Sequence, residues 1–205
     1  MRRCDIPSRW VKTVWSHALK ICPCRQNMFN SVSKKLRMAE YFIANLKNLA
    51  DDAGGFAYIS SSKRVEADAN LDGFFFEIIS AKEFFLQELN NKYNLHLKIK
   101  DVKEDKLLAS DMPQDAKRQV ERIKNLLSDP DTWLWRINHY RNTAAHHRLF
   151  QRGFVATSGD KQVRVYLFKD PDEPEKGNSN IEVIPYCEQS LKKVANFLED
   201  IYSKL

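Results

Sequence analysis

The stretch LDGFFFEIISAKEFFLQEL, Leu71 to Leu89, decides how this chain folds. Leu71, Phe74, Phe75, Ile78, Ile79, Phe85, Leu86 and Leu89 recur every three or four residues, which places them on one broad face of a helix running from about Val65 to Tyr93. A helix this apolar needs partners on several sides, so it is expected at the centre of a bundle. Phenylalanines at helical spacing read as packing rather than as a ligand box. Gly73 weakens the helix by about 1 kcal/mol relative to Ala, which is expected to mark a close approach of another backbone.

Upstream, Leu36, Ala39, Phe42, Ile43, Leu46, Leu49 and Ala50 keep the same period from Ser33 until Gly54-Gly55 stops it. Downstream, residues 94–112 are charged and less regular. Asp111 and Pro113 then read as the cap and first residue of a helix carrying Val120, Ile123, Leu126 and Leu127. SDPDTW repeats the device, with Ser128 or Asp129 as cap and Pro130 opening a helix through Trp133 and Ile137, in a segment that Gly153 ends. Beyond it the period changes to two: Val163, Val165 and Leu167 alternate with Arg164, Tyr166 and Phe168. Phe154 to Ala156 before and Ile181 to Ile184 after complete a small antiparallel β meander over about 154–185, with KDPDEPEKGNSN as a surface loop. Leu191, Val194, Ala195, Leu198, Tyr202 and Leu205 form an amphipathic C-terminal helix over about 188–205. The expected fold is mainly α, a helical bundle with the β meander inserted before its last helix. Internal repeats and a glycine-rich phosphate loop are absent from the sequence.

With 205 residues, 43% of them hydrophobic, the chain suits one core with an appendage. Its net charge of +6 favours an anionic partner. Met1 to Ala39 holds nine Lys/Arg against one Asp, a balance of +8 that leaves the remainder at −2. Residues 1–32 therefore read as a basic extension ahead of a domain at 33–205, with Trp10, Val14 and Trp15 in a short docking helix. Arg2, Arg3, Arg9, Lys12, Lys20, Arg25, Lys34, Lys35 and Arg37 form either an RNA-backbone patch or a solvated arm. Cys4, Cys22, Cys24 and Cys187 are too few for a disulfide framework, which points to a reducing compartment. Cys22-Pro-Cys24 with His17 lacks the two-residue spacer of zinc knuckles, so neither a metal nor a cofactor is expected. Without an apolar run of roughly 18 residues or a signal-type h-region, the expectation is a soluble, cytoplasmic protein that does not engage a membrane.

The chemistry concentrates in WLWRINHYRNTAAHHRLF, Trp133 to Phe150, where Arg136, Arg141 and Arg148 share one segment with His139, His146 and His147. Such a cluster calls for an anion or a partner subunit to compensate it. Arg141 and His146, five residues apart, point about 140° apart on a regular helix, so a loosened last turn or a bent Arg side chain is needed to join them. His139 and His146, seven apart, share a face. A neutral imidazole can take the proton of a ribose 2′-hydroxyl, and a guanidinium can stabilise the charge that gathers on the attacked phosphate. The set therefore suits RNA cleavage without a metal.

Arg141-Asn142-Thr143-Ala144-Ala145-His146 resembles the R-x4-6-H motif of HEPN domains, in the form with a polar residue after the arginine. The resemblance covers the helical layout of about Ser33 to Phe150. It implies a HEPN-like helical bundle and a metal-independent endoribonuclease with a toxin, defence or RNA-processing role. Arg141 and His146 would be its catalytic pair and Asn142 the supporting polar residue. His147 fits the same interval, and His139 and Arg148 are further supporting candidates. A homodimer with a composite site, single-stranded or loop RNA as substrate, and a cognate antitoxin or inhibitor are the implied partners. The alternative is a catalytically silent HEPN-like module that holds a nucleotide, RNA or a protein. The N-terminal extension and the meander are additions to the common pattern.

Overall fold

The computed structural model describes residues 23–52, 61–146, 152–156, 163–167 and 181–205, with side chains over 31–50, 62–144 and 181–205. The elements are α1 (Pro23–Asp52), α2 (Ser61–Lys92), a 3-10 turn (Ile99–Asp101), α3 (Glu104–Leu108), α4 (Gln114–Ser128), α5 (Trp133–His146), β1 (Arg152–Ala156), β2 (Val163–Leu167), β3 (Ile181–Glu182) and α6 (Val183–Ser203). The architecture is a mainly helical bundle in which α1 lies along α2, and α5 and α6 also pack against α2. Glu77, Ile78, Ile79, Ser80 and Ala81 are all buried, so the middle of α2 is covered all round. The three strands pair antiparallel in the order β1-β2-β3, with Arg152 opposite Leu167, Ala156 opposite Val163 and Leu167 also opposite Ile181.

Several boundaries differ from the sequence reading, each for a local reason. Helix α1 begins at Pro23 rather than Ser33, because Val32 extends the stripe of Leu36 and Ala39 into the core. Residues 23–32 thus continue the first helix, whereas 1–22, including the Trp10 to Trp15 segment, Cys4 and Cys22, lie outside the described residues. So do Gly54-Gly55 and the loop at 169–180. Pro113 is itself the N-cap of α4, in extended conformation with no side-chain cap bond, and Asp111 does not serve. Helix α6 starts at Val183, taking Val183 and Ile184 from the expected strand and placing Pro185 in its first turn. Proline is tolerated there because first-turn N–H groups have no intrahelical acceptor. Gly153 lies inside β1 instead of ending the preceding segment.

The charged stretch after α2 is organised by one side chain. Asn90 donates through Nδ2 to the Leu97 carbonyl and accepts from the Leu97 N–H through Oδ1, both at 3.1 Å. This clamp folds the chain back through Asn94 and His96, both at positive φ (50° and 56°). Lys82 then holds Glu104 of α3 at 3.0 Å.

Aromatic rings join the layers. Phe75 of α2 stacks on Tyr140 of α5, with centroids 5.2 Å apart and planes 23° apart, and Tyr186 of α6 meets Tyr140 edge-on at 5.7 Å. Phe85 meets Tyr202 of α6 at 5.1 Å, and Trp133 meets Phe197 at 5.7 Å. Such pairs add about 0.5–1.5 kcal/mol each to the area they bury. Gly73 does mark a close approach, although what approaches is a ring rather than a backbone: a Cβ there would lie 2.6 Å from Phe42 Cζ. Gly73→Ala gains about 1 kcal/mol of helix propensity but overpacks this contact, at about 1–3 kcal/mol. The variant is expected to unfold at lower urea than the wild type, and adding Phe42→Leu should restore the loss; a stabilised Gly73→Ala single variant would contradict the packing.

Glu88 is buried, with the Tyr202 hydroxyl donating to Oε2 and no hydrogen-bond partner for Oε1 among the described residues. Burial, partly countered by the Tyr202 hydrogen bond, pushes its carboxyl up from 4.5 to about 7. The folded state therefore binds this proton more tightly than the unfolded chain. The stabilisation is complete below pH 4.5 and is lost as pH rises to about 7. The urea midpoint of the wild type should fall relative to that of Glu88→Gln between pH 4.5 and about 7 and hold a constant offset above it; parallel profiles from pH 4 to 8 would contradict the buried acid.

Candidate functional site at the Arg141 rim

Helix α5 is launched by Thr132, not by Ser128 or Asp129. Thr132 Oγ1 accepts from the Trp135 N–H at 3.3 Å, and its hydroxyl lies within reach of the Leu126 and Asp129 carbonyls. Ser128 donates back to the Lys124 carbonyl at 2.8 Å, and Asp129 accepts from the Asp131 N–H at 3.0 Å, so both are occupied in the turn around Pro130. Leu134, Ile137, Tyr140 and Thr143 form the buried stripe of α5.

Arg141 follows Tyr140, about 100° further round the helix, and so emerges at the rim of the core. The same step occurs on α2, where buried Phe75 precedes Phe76, which is 49% exposed. Phe75 meets Tyr140 inside, and Phe76 meets Arg141 outside: the guanidinium carbon lies 6.0 Å from the Phe76 centroid. Arg141 Nη1 donates to Asn142 Oδ1 at 3.0 Å. Its Nη2 is 3.8 Å from Glu83 Oε1, beyond hydrogen-bond length, and its buried Nε has no hydrogen-bond partner among the described residues. The Arg141 side chain is 23% exposed and that of Glu83 48%, so a partly desolvated cation faces a largely hydrated carboxylate. Such a contact contributes about 0–1 kcal/mol.

A second cation borders this rim. Lys35 Nζ of α1 sits 2.8 Å from buried Glu77 Oε2, 5.7 Å from the Phe76 centroid and 5.4 Å from that of Phe84, a ring that is 40% exposed. The rim thus joins Lys35, Phe76, Phe84, Glu83, Arg141 and Asn142 from three helices.

Of the residues expected from sequence, Arg141 and Asn142 stand together at this rim. His139 stacks on Trp135, one turn earlier, at 4.6 Å, and lies about 200° round the helix from Arg141. His146 is the last residue of α5; its side chain lies outside the described residues, as do His147 and Arg148. Sequence reasoning missed Phe76, Phe84 and Glu83 altogether and placed Lys35 only within a diffuse basic patch. The runs Phe74-Phe75-Phe76 and Phe84-Phe85 did carry a signal, since successive helical residues diverge by about 100° and a run cannot be buried throughout on one face.

Elsewhere, an open depression of about 560 Å³ is lined by Asp115, Arg118, Gln119, Glu121, Arg122, Asn125 and Lys204. Its cations are already engaged: Arg122 and Lys204 bind Asp200 at 2.9 and 2.7 Å, and Arg118 binds Asp115. No helix among the described residues is long and apolar enough to cross a membrane. Comparison with family models, curated proteins and solved structures gives no match for this chain.

The contrast between Tyr140 and Arg141 is testable. Tyr140→Ala should cost about 3–5 kcal/mol, as for other large aromatic truncations in a core. Arg141→Ala should cost less than about 1 kcal/mol. Urea unfolding measures both, and an equally large loss at Arg141 would make that residue a structural one.

Proposed function

We propose that the chain is a HEPN-like helical bundle that acts as a metal-independent endoribonuclease, with Arg141 and His146 as its catalytic pair. The observation that carries this reading is the state of Arg141. Its guanidinium is partly desolvated against Phe76, has a buried Nε without a hydrogen-bond partner among the described residues, and faces its carboxylate at only 3.8 Å. Held this way, it gains by accepting a doubly contacting phosphate in place of Glu83.

In the proposed reaction an imidazole, His146 or its neighbour His147, removes the ribose 2′-proton. The 2′-oxygen attacks the adjacent phosphorus, the bond to the 5′-oxygen breaks, and a protonated imidazole returns a proton to the leaving oxygen. Arg141 stabilises the charge on the phosphoryl oxygens, and Asn142 keeps its guanidinium in place through the 3.0 Å hydrogen bond. The products are a 2′,3′-cyclic phosphate and a free 5′-hydroxyl. A homodimer supplies the second copy of the motif to a composite site.

Purified protein incubated with single-stranded RNA in EDTA should generate cyclic phosphate ends and leave DNA of the same sequence intact, because DNA lacks the attacking hydroxyl. Arg141→Ala should lower the rate by about 10²–10³-fold. His146→Ala and His147→Ala, assayed side by side, identify the imidazole by the larger loss. Cleavage abolished by chelation, or an Arg141→Ala variant as active as wild type, contradicts the reading. RNA binding without cleavage would assign the rim to the silent binding module.

A further inference from the structure

We infer that Phe76 and Phe84, with Lys35 over both rings, form a base-stacking subsite that holds a single strand of RNA next to Arg141. The inference rests on the ribonuclease reading for its choice of RNA, and on the chemistry of the rim for everything else. Singly exposed apolar residues, such as Val65 and Ile99, are ordinary on a protein surface. Phe76 and Phe84 differ because one ammonium group links them, at 5.7 and 5.4 Å, and because Phe76 also borders the Arg141 guanidinium. Eight residues of helix separate the Cα atoms of Phe76 and Phe84 by roughly 12 Å along the axis of α2, and the two rings lean together over the one ammonium group, 5.7 and 5.4 Å from their centroids.

The surroundings select the occupant. Lys35, Glu77, Glu83 and Arg141 surround the rings with charge, which a purely apolar peptide face would have to desolvate without replacement. A nucleotide offers what the rim can use: a flat π-face for a ring and a phosphate for a cation. Lys35 lies 2.8 Å from a carboxylate that is itself buried, an ion pair that keeps the ammonium beside both rings. Glu83 occupies the place of a phosphate beside Arg141 and is half-exposed, so an incoming strand displaces it rather than a core residue. Stacking is tolerant of sequence, which makes this a subsite for strand form rather than for particular bases.

The test uses the full chain and a fluorescein-labelled 2′-O-methyl oligouridine, which cannot be cleaved, with binding read by fluorescence anisotropy. Phe76→Ala and Phe84→Ala should each weaken binding about tenfold. Phe→Tyr at either position should bind as wild type, and Phe→Leu, which keeps bulk without a π-face, should behave as Ala. Replacing Lys35 and Glu77 together by Gln avoids an unpaired buried carboxylate and should lower the salt dependence of log Kd by about 0.7, a slope the Phe variants leave alone. Leu variants that bind as tightly as wild type overturn the subsite. So does a wild-type protein that does not bind the probe, or Ala variants whose defect is a change of solution mass, which would assign the rings to a protein interface. The two readings separate cleanly. Cleavage that depends on Arg141 but ignores both rings sinks the subsite alone, whereas ring-dependent binding without cleavage of unmodified RNA sinks the nuclease alone.

Discussion

The contact on which this structure turns is the stack of Phe75 on Tyr140, 5.2 Å apart and fully buried, closed by the edge of Tyr186. It sets the rotation of α5 against α2, and rotation is what decides whether a residue on α5 faces core or solvent. With Tyr140 locked inward, the next residue has to leave the core about 100° away, on the side where Phe76 leaves α2. Arg141 therefore reaches the rim through packing, with no strong ion pair directing it there.

Two cations at that rim are held in different ways. Lys35 faces a buried carboxylate, Glu77, at 2.8 Å, an ion pair without hydrogen-bond geometry at Oε2, and losing one partner of a buried pair typically costs about 3–5 kcal/mol. Arg141 has a hydrated acid at 3.8 Å and a neighbouring amide at 3.0 Å. The first arrangement fixes charge in place; the second leaves charge available to a ligand. The exposed ring of Phe76 lies near both, 5.7 Å from Lys35 and 6.0 Å from Arg141, so a strand crossing the rim meets a paired cation, a flat apolar face and an exchangeable cation.

Much of the helical layout was legible in the sequence because burial writes itself as a period: Leu71 to Leu89 could face a core only as a helix, and the fold buries all eight of the stripe residues named for it. What escaped depended on contacts between distant segments. Nothing local distinguishes Thr132 from Ser128 or Asp129 as the cap of α5, and the choice follows from where the turn around Pro130 places each side chain. Pro185 lies in the first turn of α6, ahead of the helix start expected at about 188. At the candidate site, Arg141 and Asn142 were legible from the motif, whereas Glu83, Phe76 and Phe84 acquire meaning only once α2 is laid beside α5. Lys35 was counted as one basic residue among nine, and only the fold separates it from its exposed neighbours Lys34 and Arg37.

The central claim is that Arg141 is held at the rim ready to exchange Glu83 for a phosphate. The most direct measurement follows the Nε–H resonance of Arg141 by NMR, assigned through Arg141→Lys, as a non-cleavable RNA strand is added. The account predicts a large, saturable shift of this resonance, reached at lower RNA concentration in Glu83→Gln. A resonance that stays in place while other signals move with the added strand would contradict it.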